Sequence, residues 1–185
     1  MAVILPLGGV DVVLLAFTKV DLKLGALGVG YLVSALAAGL ILGSLVAESL
    51  TARLAPAVWL GIGRVGLGTF FGLAGTVPVL AVTLGAMVVA GVFNGIINVR
   101  LSTFVQSLVP MGISGRVFAL LGTLTRLALL WGMAANTGLL AFVGPGRTLV
   151  LVGGWVAAVG LLGAARLRVS HAPPPPMKPD LATDR

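Results

Sequence analysis

Asp11 lies between Val10 and Val12, the one acidic side chain in the body of an apolar segment. A carboxylate there either takes up and releases protons or, if its helix is displaced, sits near an interface. Arg126 interrupts a second apolar segment. It can face a cavity and attract an anionic group, or carry its charged tip back to the interface. Asn94, Asn98, Ser102 and Gln106 recur every fourth residue, which puts four hydrogen-bonding groups on one slowly drifting helical face. That face lines a cavity or an inter-helix seam, and its Gln106 end extends beyond the bilayer. Asn136 adds a single amide further on. Together these residue types suit a polar path through a helical bundle, with Asp11, Asn94, Asn98, Arg126 and Asn136 as candidates to line it.

Catalytic constellations are lacking. The chain has no cysteine and its single histidine, His171, lies beyond the last apolar segment, so thiolate chemistry and a histidine-based metal or Ser–His site inside the bundle are excluded. Glycine pairs such as Gly61 and Gly63 have no strand–turn–helix context for nucleotide binding. The expectation is therefore no enzyme, no cofactor and no metal.

The elements that must position these residues follow from charge and hydropathy. No charged residue occurs from Leu24 to Ala47 or from Val65 to Val99, runs of 24 and 35 residues. About 20 apolar residues in a helix span the ~30 Å hydrocarbon core, so the first run is one crossing. The second, broken at Pro78, holds the end of one helix and most of the next. Composition agrees: 58% apolar, 9% charged, 27 glycines and a mean hydropathy of +1.15. The net charge of +7 comes from basic residues dispersed among apolar segments, which fits basic loops of a membrane protein and not a nucleic-acid surface. Composition points to the lipid bilayer as partner and to no nucleic acid.

Hydropathy and Gly/Pro punctuation predict an all-α membrane domain over 1–168, with helices at about 2–17, 26–47, 57–75, 78–108, 116–142 and 148–167. Residues 169–185, with Pro173 to Pro176 in a row, predict a disordered, Pro-rich tail. The apolar start lacks the basic flank of a cleaved signal and reads as a retained helix. Basic loop residues fall six on one side (Arg53, Arg116, Arg166, Arg168, Lys178, Arg185) and three on the other (Lys19, Lys23, Arg147). The positive-inside rule then puts both termini in the cytoplasm and the chain in the cell (inner or plasma) membrane. Ala35, Gly39, Gly43 and Ala47, and Gly68 with Gly72, form small-residue stripes that allow close helix approach, for packing or for sliding.

The stretch from Gly91 to Leu121 carries Gly91-x-x-Asn94, then Gln106-x-x-Val109-Pro110, a short loop, and Gly115-Arg116-Val117-Phe118 opening the next helix. In this it resembles the major facilitator superfamily, and most closely the bacterial drug and siderophore exporter branch that includes macrolide-efflux proteins. The resemblance implies that the six segments form one half, a 3+3 inverted repeat, of a twelve-helix secondary transporter. Gln106, Pro110, Gly115 and Arg116 would be its signature residues. It implies efflux of a small amphipathic molecule with proton coupling, a cavity lined by the first and fourth helices and flanked by the fifth, and a third and sixth helix facing lipid. A second six-helix half would come from a separate chain, a second copy or a preceding region. The loop motif that the family carries after its second helix is reduced here to Gly43 and Arg53. That departure leaves a truncated or non-transporting membrane subunit as the alternative.

Overall fold

A computed structural model describes residues 7–51, 56–108 and 114–169. Six helices run through them: α1 (Val10–Val20), α2 (Gly25–Thr51), α3 (Pro56–Thr76), α4 (Leu80–Leu108), α5 (Ser114–Val143) and α6 (Pro145–Val169). Four are long and apolar enough to cross a bilayer, over Leu27–Ser49, Leu80–Thr103, Phe118–Val143 and Pro145–Gly163. The described residues are thus all-helical, and the four long apolar helices are compatible with a membrane protein. In lipid every backbone polar group must be satisfied within the segment, which is why these apolar runs are helical despite their glycine content.

Several helix ends differ from the sequence reading, for local reasons. Leu7 is helical, Gly8 and Gly9 form a turn, and α1 starts at Val10 behind Gly9, whose φ is +75°; the predicted start over residues 2–6 lies outside the described residues. The fourth begins at Leu80 and not at Pro78. Val79 N–H closes back on Val77 O (2.8 Å) around the proline, and Thr83 N–H bonds Val79 O (2.9 Å), making Val79 the entry residue. The sixth begins at Pro145, because Gly144 at φ +85° makes the whole turn and proline suits the first helical position. The predicted tail from residue 170 onward, Arg53 and Pro110 lie outside the described residues.

Packing is organised by two glycine seams. Helices α2 and α4 run parallel, and Gly39 and Gly43 of α2 meet Gly91 and Gly95 of α4. A Cβ on Gly39 would stand 2.0 Å from Val88 O, and one on Gly91 2.2 Å from Leu36 O. The predicted Ala35–Ala47 stripe is therefore a packing face, and Gly43 sits within α2 and not in a loop. Helices α3 and α6 run antiparallel with glycines every seventh residue on both. Gly75 faces Gly146, Gly68 faces Gly153, and Gly61 faces Gly160, with Cβ-to-main-chain approaches of 2.5, 2.3 and 3.1 Å. Gly72 differs from its stripe partner Gly68: a Cβ there would meet nothing within 4 Å.

The two pairs join along α3 and α4, where Phe70 and Phe93 stack at 6.2 Å between ring centroids. Val10, Val13, Leu14 and Phe17, spaced for one helical face, insert α1 into a core with Leu32, Leu67, Phe71, Met87, Leu149 and Val156. Helix α5 lies at the margin, touching chiefly α1 and α6, and most of its length is exposed.

Candidate functional site

The break in α1 determines how that helix meets α5. With no side chain at Gly8 or Gly9, the turn lies directly on the α5 backbone. A Cβ on Gly8 would be 2.3 Å from Leu129 O, and one on Gly9 2.8 Å from Met133 Cα. Asn136, buried one helical turn further along α5, donates its Nδ2 to Gly8 O. That bond satisfies a carbonyl which the interrupted helix leaves without its usual partner.

Beside the turn opens a cleft of about 490 Å3, lined by Leu7, Gly9 and Asp11 from the α1 side and by Arg126, Leu129, Leu130 and Met133 from α5. Its size is that of a small-molecule site. Leu130 stands at the middle of the Phe118–Val143 apolar span, so the cleft lies beside the centre of that span. Asp11 occupies the first turn of the restarted α1. A carboxylate is favoured there by the amide ends of the helix. Arg126 projects from one turn before Leu130. The walls between the two charges are apolar, both side chains are exposed, and no ion pair joins them. Such an arrangement offers one anionic and one cationic anchor at separate points of one apolar cleft. It could hold a zwitterionic or amphipathic solute, or let the two charges exchange partners as the cleft changes shape.

The structure thus brings Asp11 and Arg126 together and uses Asn136 to hold the turn behind them. Asn94 and Asn98 lie elsewhere, on α4, which has no extensive contact with α1 or α5. Asn98 Nδ2 donates to Asn94 O (2.9 Å) and Asn94 Oδ1 (3.0 Å), and Asn98 is exposed. Further along the same face Gln106 Nε2 donates weakly to Ser102 Oγ (3.4 Å). Gly115 is exposed in the first turn of α5, with open space around it, and Arg116 follows on helical backbone. Among the described residues no group of three or more His, Cys, Asp or Glu could hold a metal ion.

Sequence reasoning missed the Gly8–Gly9 turn and the part played by Met133. The signal was present in an adjacent glycine pair two residues after Pro6, within an apolar segment short for a crossing. No family model, curated protein or solved structure matches the chain.

Proposed function

We propose that this six-helix unit is one half of a secondary transporter of the major facilitator type, moving a small amphipathic molecule outward with proton coupling. The observation that carries the reading is the placement of Asp11 and Arg126 in one mid-bilayer cleft beside a broken helix. Charges at that depth cost roughly 2.5–3.5 kcal/mol each on insertion scales, and broken helices at the midplane are a recurrent way to build substrate and ion sites.

The helix contacts support the inverted-repeat part of the reading. Exchanging the first three helices for the last three turns the α2–α4 contact into α1–α5, turns α3–α4 into α1–α6, and maps α3–α6 onto itself. Those pairs pack together, whereas the α1–α2 and α5–α6 contacts have no comparable counterpart in α4–α5 and α2–α3. Both parallel pairs also close on glycines, Gly91 and Gly95 in one and Gly8 and Gly9 in the other. The cytoplasmic placement of both termini rests on the distribution of basic residues between the connections. A second half would supply the facing wall of the cleft. The alternative, a non-transporting subunit, draws on Gly43, which serves helix packing where the family has a gating loop.

The test uses proteoliposomes holding the chain alone, and the chain with whichever membrane polypeptide crosslinks to it in native membranes. Ethidium serves as a cationic probe and carboxyfluorescein as an anionic one. A proton gradient should drive movement of one probe, and Asp11→Asn should abolish it with the protein still in the membrane. Transport by Asp11→Asn at the unaltered rate would remove the coupling role. No gradient-driven movement in either preparation would favour the non-transporting subunit.

A further inference from the structure

Two buried N–H donors at the far end of the α3/α4 seam have no hydrogen-bond partner, Trp59 Nε1 and Arg100 Nε. Helices α3 and α4 run antiparallel. A Cβ on Gly63 would lie 2.7 Å from Ile97 Cγ1, and one on Gly66 2.6 Å from the Phe93 ring. On α3 the facing residues Gly63, Gly66 and Phe70 extend back one turn to Trp59. On α4 Ala90, Phe93 and Ile97 extend forward to Arg100. The register therefore sets Trp59 and Arg100 opposite one another as the last rung of the seam.

The position matches headgroup depth. Arg100 comes just before Thr103, where the Leu80–Thr103 span ends, and Trp59 stands in the first turn of α3 after Pro56. Tryptophan is enriched at this level because its ring is apolar and its N–H seeks a polar partner. A buried donor left unpaired is costly, and one on a guanidinium more so. Both side chains offer donors only, so a common partner must be an acceptor, and the guanidinium calls for an anion. Glu48, at the end of α2 on the same side, is exposed and forms no ion pair with Arg100.

From this juxtaposition we infer that Trp59 and Arg100 form a phosphate-binding site at the membrane surface, filled by the headgroup phosphate of an anionic phospholipid or by free phosphate. The indole N–H and the guanidinium Nε–H donate to phosphate oxygens, and the rest of the guanidinium neutralises the charge. The site is separate from the cleft at Asp11 and Arg126 and does not depend on the transport reading.

The test is native mass spectrometry of the full chain released from micelles containing equal phosphatidylglycerol and phosphatidylcholine. The unaltered chain should retain phosphatidylglycerol over phosphatidylcholine by about tenfold or more. Trp59→Phe keeps the ring and loses the donor, and Arg100→Gln loses the charge. Each should erase most of that preference at unchanged helical content, whereas Arg147→Gln, at the other end of the bundle, should leave it intact. In a chain keeping only Trp59 (W131F/W155F), phosphatidylglycerol should alter the indole emission. If millimolar inorganic phosphate produces the same change and displaces the lipid, the source is soluble phosphate and the site stands. Equal retention of the two lipids with no response to phosphate would overturn the inference. So would a preference unchanged in both Trp59→Phe and Arg100→Gln.

Discussion

Gly68 and Gly72 are both on α3, four residues apart, both in apolar surroundings, and an alanine at each has opposite expected effects. At Gly68 a methyl group would lie 2.3 Å from Gly153 O and 2.6 Å from Ala157 N, short of ordinary contact at 3.4 Å by about 1.1 Å. Its neighbours are main chain, so no rotamer change relieves the overlap. Helices α3 and α6 must separate, and the pairs Gly75–Gly146 and Gly61–Gly160 lie on the same seam and lose contact with them. Overpacking of this kind costs about 1–3 kcal/mol. At Gly72 the methyl meets nothing within 4 Å, and replacing glycine inside a helix contributes roughly 0.5–1 kcal/mol of stability. Reversible unfolding by SDS in mixed micelles, followed by circular dichroism, should separate Gly68→Ala from Gly72→Ala by about 1.5–4 kcal/mol. The double substitution Gly68→Ala/Gly153→Ala should cost less than the sum of its parts, because one separation accommodates both methyls. Equal stability of Gly68→Ala and Gly72→Ala would refute the seam.

Three further outcomes follow from the α1 turn and the α4 face. Asn136→Leu leaves the buried Gly8 carbonyl without its donor and should cost about 1–3 kcal/mol, with faster amide exchange at Val10 to Val13. Gly9→Ala forces a side chain onto φ +75° and against Met133 Cα at 2.8 Å. It should cost at least ~1 kcal/mol in the same SDS titration. Asn98→Ala removes two bonds to Asn94 from an exposed position and should change stability by less than about 0.5 kcal/mol.

Much of this architecture is legible in the chain because lipid leaves little choice. Charge-free runs the length of a bilayer must be helices, and glycines at spacing four on α2 present one close-packing face whatever the partner. The α3–α6 seam is harder to see. Its glycines recur every seventh residue among 27 in the chain, and only the pairing of Gly68 with Gly153 distinguishes them from Gly72, whose main chain borders Gly153 while its own Cβ would point into open space. The break in α1 is hidden from hydropathy, which averages across a two-residue turn. Asp11 and Arg126 are each legible as isolated charges in apolar segments. Their meeting is not, because it depends on α1 lying along α5, and only the backbone approach at Gly8 and Gly9 brings that about. The polar face of α4 shows the converse limit: periodicity identifies Asn94 and Asn98 as neighbours without saying what they face.

If the cleft between α1 and α5 serves transport, it is a water-accessible path at mid-membrane depth. The natural absence of cysteine permits a direct measurement, since a thiol reacts with a charged methanethiosulfonate only where water ionises it. Met133→Cys places a thiol in the cleft, and Leu151→Cys places one at similar depth on the exposed side of α6. Met133→Cys should be labelled in intact membranes and Leu151→Cys should not. Equal inertness of the two thiols would mean that lipid fills the cleft and that no aqueous path runs through it.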